Sequence, residues 1–319
     1  MDFCRDLLPY YLMKTDLRNP IRNAPTRDRS VLAELLANLV TTEGFGATAL
    51  SDVRLMHSTA SYPSAPVSYD PSIVIIAQGH KHGRLGGRQF VYDAHNYLVL
   101  SVPLPFECET IGSPEEPMLG MAVRVNPATI AELLLELDEP LPPGGSPTAI
   151  DATPLTPELS DAAIRLARCL QSPTEARILG PQIIREITFR ALCGERGAGL
   201  RALATPQSNF NQIARALKRI HSDFAQTLEV SALAREAGMS VSTFHANFKA
   251  ITANPPLRYL QTIRLHKAQV LMVSGTPVAE AARQVGYESA SQFSREFKRL
   301  FGGTPKEVTG RSRVALTMF

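Results

Sequence analysis

The chain has 319 residues, 44% hydrophobic and 20% charged, with a net charge of +3. That is enough for two ordinary domains and suits a globular protein rather than a disordered or fibrous one. No apolar run approaches the ~20 residues of a membrane span, and the opening Met1-Asp2-Phe3-Cys4-Arg5-Asp6 does not read as a secretory signal.

Residues 1–28 show no sustained period and read as an arm. Ser30 to Val40 reads as a helix, with Ser30 as cap and Val31, Leu32, Leu35, Leu36 and Leu39 on one stripe. From about Thr48 to Val125 short β-prone runs alternate with Gly, Pro, Asn and Asp. The clearest are Ser72 to Ile76, Phe90 to Tyr92, Tyr97 to Leu100 and Leu119 to Val125. This texture predicts a compact antiparallel barrel or sandwich. Asn126 and Pro127 open a helix running to about Leu137. Glu139 to Pro147 reads as an irregular connection. Two helices follow, from Thr156-Pro157 to about Leu170 and from about Thr174 to Cys193, the second kinked at Gly180-Pro181. Gly194 to Pro206 reads as a linker, and everything from Ser208 onward reads as helical. The four cysteines are scattered without a CxxC pair, which points to a reduced, cytosolic setting.

The small net charge hides an asymmetry. Residues 201–319 carry 16 Lys and Arg against 7 Asp and Glu, a balance of +9, and residues 1–200 a balance of −6. A basic third joined to an acidic remainder suggests that the third meets a polyanion.

That third also repeats itself. Val230 to Gly238 (V-S-A-L-A-R-E-A-G) returns as Val278 to Gly286 (V-A-E-A-A-R-Q-V-G) at an offset of 48. Past the glycine the offset is 49, matching Phe244 to Phe293, Phe248 to Phe297 and Pro256 to Pro305. Each copy has helix-turn-helix mechanics. Leu233, Ala234 and Ala237 form the inner face of a short helix that Gly238 ends. Ser240 or Ser242 caps the next helix, which Phe244, Phe248 and Ile251 pack inward. In the second copy Thr276-Pro277 start the helix, Ala281, Ala282 and Val285 face inward, Gly286 turns the chain, and Ser289 caps. Phe293, Phe297 and Leu300 anchor its second helix. Between the copies, Pro256 to about Ser274 reads as one helix of roughly 27 Å, which can hold two recognition helices near the ~34 Å repeat of the major groove. A helical bundle that binds nothing is the bland alternative. The coincidence of repeat, glycine turns and basic charge argues against it.

These segments are similar to the AraC/XylS family of transcription regulators from about Asn211 to Thr309. The resemblance rests on Leu233 to Ser240, Phe244 to Lys249, and Gly286 to Gly302. A weaker resemblance over about 29–180 rests on Tyr69-Asp70-Pro71, Gln78-Gly79, Leu85-Gly86, Tyr92-Asp93, Asn96-Tyr97-Leu98 and Leu104-Pro105. It implies an α+β chain: a cupin-like antiparallel β-barrel with appended helices, then an all-α double helix-turn-helix domain. The boundaries would be an arm at 1–28, a sensor and dimerisation domain at 29–195, a linker at 196–208, the DNA-binding domain at 209–310 and a tail at 311–319. The implied partners are double-stranded DNA, a second copy of the chain, a small-molecule effector and, for an activator, RNA polymerase. No cofactor is implied.

By the same resemblance the first recognition helix presents Ser242, His245 and Ala246 to base edges, and the second presents Ala290, Ser291, Gln292 and Arg295. Gln and Arg suit adenine and guanine edges. Lys249, Arg258, Lys298 and Arg299 are the candidates for phosphate. Ala246 departs from the long polar side chain common in the family, so the second helix is expected to contribute more to sequence preference.

Three other patterns carry weaker chemistry. His80-Lys81-His82 is an HxH with His95 further on, but Leu85 and Gly86 stand where a metal-binding cupin places Glu, so surface histidines are the default. Arg84 and Arg88 have an RxxxR spacing that could clamp an effector's phosphates. An exposed hairpin turn is the plainer reading. Glu107-Cys108-Glu109 has no base tied to it, and there is no P-loop or Rossmann glycine cluster. No catalytic activity is expected. A metal-dependent cupin enzyme with a DNA-binding appendage and a ligand-independent regulator are the alternatives.

Overall fold

The computed structural model describes residues 26–40, 42–137, 146–205 and 208–311. Most of the expected arm, most of the Pro-Gly connection near 140 and the tail from 312 lie outside the described residues.

Helix α1 (Thr26–Leu39) begins before the expected cap, leaving Ser30 inside it. Nothing in Thr26 to Arg29 breaks a helix, so the turn extends backward. Leu32 and Leu36 are buried, and α1 packs on the sheet that follows. That sheet has ten antiparallel strands: β1 (Gly44–Ala47), β2 (Val53–Ser58), β3 (Tyr62–Tyr69), β4 (Ser72–Gln78), β5 (His80–Leu85), β6 (Arg88–Asp93), β7 (Asn96–Leu100), β8 (Leu104–Ile111), β9 (Met118–Arg124) and β10 (Ile150–Pro154). The order is β1-β2-β9-β4-β7-β6-β5-β8-β3, with β10 added beside β7. Register shifts in β3 and β4 bend the strands.

The sheet is a half-barrel whose edges are β1 and β3. Pro63 and Pro66 lie in β3, and proline, lacking an N–H, belongs on an edge. The Phe45 and Tyr69 rings, one from each edge strand, meet edge to face at 5.8 Å.

Helices α2 (Pro127–Leu135), α3 (Pro157–Cys169) and α4 (Pro173–Cys193) follow their caps. The side chains of Asn126, Thr156 and Ser172 each accept a backbone N–H there. Helix α4 is assigned unbroken through Pro181. The expected linker holds a further helix, α5 (Ala198–Ala204), which buries Leu200 and Leu203 and packs on α2. Its i, i+3 apolar pair was masked by the glycines at 194, 197 and 199.

The rest is helical: α6 (Asn209–Asp223), α7 (Val230–Glu236), α8 (Val241–Thr252), α9 (Pro256–Val273), α10 (Val278–Gln284), α11 (Ala290–Phe301) and α12 (Pro305–Arg311). Helix α9 has 18 residues, as its periodicity predicts, and touches β3 and β8 of the half-barrel. Tyr259 on α9 donates to the Pro103 carbonyl (2.7 Å), and its hydroxyl lies 2.8 Å from His221 Nε2. At the β5–β6 turn, a Cβ on Gly86 would stand 3.1 Å from Cβ of Ala253, just past α8.

Candidate nucleic-acid interface

Each repeat folds as a short helix, a left-handed glycine and a second, longer helix. Gly238 has φ +66 and Gly286 φ +88, a region that residues with a Cβ avoid. The side chain of Ser240 accepts the N–H of Thr243, and Ser289 accepts that of Gln292, so the capping serines are these two. Phe244 and Phe248 are fully buried, their rings tilted against each other with centres 5.5 Å apart; Phe293 and Phe297 repeat this at 5.6 Å.

The opposite faces are open. Ser242, His245, Ala246 and Lys249 are exposed on α8, and Ala290, Ser291, Gln292, Arg295, Lys298 and Arg299 on α11. Arg258, in the first turn of α9, is half-buried. Among the described residues no ion pair holds Lys249, Arg295, Lys298 or Arg299. Cations left unpaired on an outward face can meet a polyanion without first breaking a contact.

Two arrangements escaped the sequence reading. Tyr287 donates to Glu296 at 2.7 Å, and Gln292 donates to the other oxygen of that carboxylate at 3.1 Å. One N–H of Gln292 is thus committed, leaving its second N–H and its oxygen for a base. Burial and the Glu296 carboxylate push the Tyr287 phenol well above its ordinary range, so it stays a donor. Arg264 on α9 donates to the carbonyls of Phe224 (2.7 Å), Gln226 (2.9 Å) and Gly286 (3.1 Å). It ties the second turn to the end of α6. Only the three-dimensional path reveals the Arg264 contacts, because their acceptors lie 22 to 40 residues away.

The remaining candidates sit on the half-barrel. Arg84 and Arg88 flank the β5–β6 turn. Arg84 pairs with Glu107, and Arg88 reaches Asp151 at 3.6 Å and the Ile150 carbonyl at 3.4 Å. The His80 and His82 rings lie 5.1 Å apart, and His82 faces Glu109 at 3.2 Å. No group of three metal-ligating side chains occurs among the described residues.

Lys81, between those histidines, points the other way. Alternation along β5 puts it on the inner side with Leu85, and it is 5% exposed. Its ammonium donates to the Tyr69 hydroxyl at 3.0 Å and stands 5.8 and 5.7 Å from the ring centres of Phe45 and Tyr69. It borders a cleft of about 790 Å³ on the open side of the half-barrel. Phe45, Val67, Tyr69 and Met118 line the sheet side. Gln269 of α9, with Phe301 and Val308 flanking the α11–α12 turn, lines the other.

The comparisons with known proteins follow the same division. The family described as "AraC-type transcriptional regulator N-terminus" matches residues 49–199, and that described as "Helix-turn-helix domain" matches residues 233–311. The chain belongs to the AraC family of regulators. Among AraC-family relatives, the transcriptional regulator AlkR of Acinetobacter baylyi is 37% identical over 102 residues, covering 32% of this chain and 33% of AlkR. The transcriptional activator RhaS of Escherichia fergusonii is 33% identical over 90 residues, covering 28% and 32%. The match thus spans about a third of the length of these relatives. Apo ToxT of Vibrio cholerae superposes with a TM-score of 0.59 at 12% identity, covering 84% of this chain and 99% of ToxT. ToxT with an unsaturated fatty acid bound gives 0.58 at 14% identity, covering 84% and 97%. At this identity the likeness shows the fold: a half-barrel sheet followed by helix-turn-helix units.

Proposed function

We propose that this AraC-family chain is a sequence-specific, double-stranded-DNA-binding transcription regulator that inserts α8 and α11 into successive major grooves. One observation carries the reading. Both recognition helices are capped, anchored by buried phenylalanine pairs, and open on the outward face, in a region of balance +9. Base contacts fall to Ser242, His245, Ala246, Ala290, Ser291, Gln292 and Arg295. Phosphate contacts fall to Lys249, Arg258, Lys298 and Arg299. The chain acts as a homodimer through its appended helices, where Ile178 and Leu179 are 62% and 49% exposed on α4. It works in the cytoplasm, and as an activator it would also touch RNA polymerase. No helix among the described residues is long and apolar enough to cross a membrane. A small-molecule effector bound to the sensor half shifts the balance between two placements of the DNA-binding units. The fatty acid bound by ToxT supports an effector of some kind.

A salt titration of duplex binding tests this. Log affinity should fall linearly with log salt, and Arg299→Ala should reduce that slope by about one. Binding indifferent to salt would contradict the reading.

A further inference from the structure

The two repeats differ at one matched contact. Tyr287 and Glu296 of the second unit stand where the first has Met239 and Asn247, at offsets of 48 and 49. The contact itself is common to both: the Asn247 amide lies 3.7 Å from the Met239 sulfur, and the Tyr287 hydroxyl 2.7 Å from Glu296. The second unit makes it a carboxylate held by a phenol. There it also reaches a recognition side chain, because Gln292 takes the place of Thr243 and donates to the other oxygen of Glu296 at 3.1 Å. Among the described residues no ion pair neutralises Glu296. A bare carboxylate on a DNA-facing helix repels phosphate, so its presence calls for a compensating role. Core packing does not supply one: Gln292 is exposed and Glu296 half-buried, both on the wall of an open cleft of about 850 Å³ between α9 and α11.

The chemistry of the amide does. A glutamine carries two N–H donors and one acceptor oxygen. Unconstrained, it can offer a donor and an acceptor to adenine, or both donors to the two acceptors of guanine. A carboxylate only accepts, so Glu296 takes the nitrogen end and turns the oxygen end away. With one N–H committed, one donor and one acceptor remain, the pattern that adenine N7 and N6 complement.

We propose that Glu296, anchored by Tyr287, is a positioning residue that makes Gln292 an adenine reader at one base pair of the DNA site. The proposal rests on the DNA-binding reading above and names the base that this part of the interface selects. The first unit has no counterpart, since Thr243 carries no amide to orient and its hydroxyl lies 2.8 Å from the capping Ser240.

The test uses the full chain and a duplex that it selects from random sequence, each base pair varied in turn and affinities ranked by competition. One position should prefer adenine over guanine by about tenfold or more, and Gln292→Ala should erase that preference. Glu296→Gln keeps the shape and removes the charge. The new amide can donate to the Gln292 oxygen and so free both N–H groups of Gln292. The adenine-to-guanine ratio at that position should therefore fall about fivefold or more. Tyr287→Phe should lower it less, because the carboxylate stays and only its anchor goes. In the Gln292→Ala background, Glu296→Gln should change the ratio no further. A ratio indifferent to Glu296→Gln would overturn the proposal. So would an equal loss of preference at every position, which marks a structural role. A parent chain that ranks no duplex above another overturns the DNA-binding reading with it, whereas specific binding with an unaltered ratio overturns the positioning role alone.

Discussion

Gly286→Ala isolates the turn on which the second unit depends. Gly286 has φ +88, and an added Cβ would stand 2.5 Å from the carbonyl oxygen of Ala225. The left-handed backbone costs an L-residue about 1–2 kcal/mol. Forcing back a packed carbonyl adds about 1–3 kcal/mol. That carbonyl cannot yield easily, because Arg264 grips Phe224 and Gln226 on either side of it. Gly275→Ala is the control: φ is +98, but nothing lies within 4 Å of the new Cβ. It should suffer the backbone term alone. Native-state hydrogen exchange of α10 and α11 reads local stability directly. Gly286→Ala should accelerate it roughly thirtyfold or more, and Gly275→Ala roughly tenfold. Equal acceleration in the two variants would refute the argument that the Ala225 carbonyl closes this turn.

Other outcomes follow from the same geometry. Arg295→Ala should lose about 1–3 kcal/mol at the preferred duplex and relax preference at one position, read by competition among duplexes. Equal loss on every sequence would make Arg295 a phosphate contact. Arg264→Lys should destabilise the second unit by about 2–4 kcal/mol in chemical denaturation, because an ammonium cannot reach three carbonyls in one fork. Tyr259→Phe should cost about 1–2 kcal/mol, since it strips a donor from Pro103 and a partner from His221. Burial, helped by Lys267, lowers the His266 pKa from 6.5 to about 3. Below pH 6.5 the unfolded chain therefore takes a proton that the fold refuses. This histidine's share of stability is full above 6.5 and falls toward pH 3, with about 2 kcal/mol lost between pH 7 and 5. His266→Leu should remove that share of the pH dependence in denaturation curves.

The DNA-binding half was legible because repetition exposes it. Phenylalanines recur at helical spacing, glycines mark both turns, and serines cap both recognition helices, all local signals. The half-barrel was legible only where strands are apolar, as in β4 and β9. Strand β3 hides behind two prolines, and β5 alternates polar outward residues with a buried lysine. Lys81 was therefore read as the middle of a histidine pair, though the inward side of β5 could have been taken from Leu85. Gln269 carried no signal at all, because its place in the cleft wall depends on what the half-barrel sets opposite α9. The Arg264 brace was likewise silent, since its acceptors are backbone carbonyls.

Selection of bound fragments from sheared genomic DNA by the full chain, at near-physiological salt, tests the central claim most directly. The account predicts a shared motif of two boxes about one helical turn apart, with Arg295→Ala degrading one box and leaving the other. Fragments recovered without a common motif would contradict it.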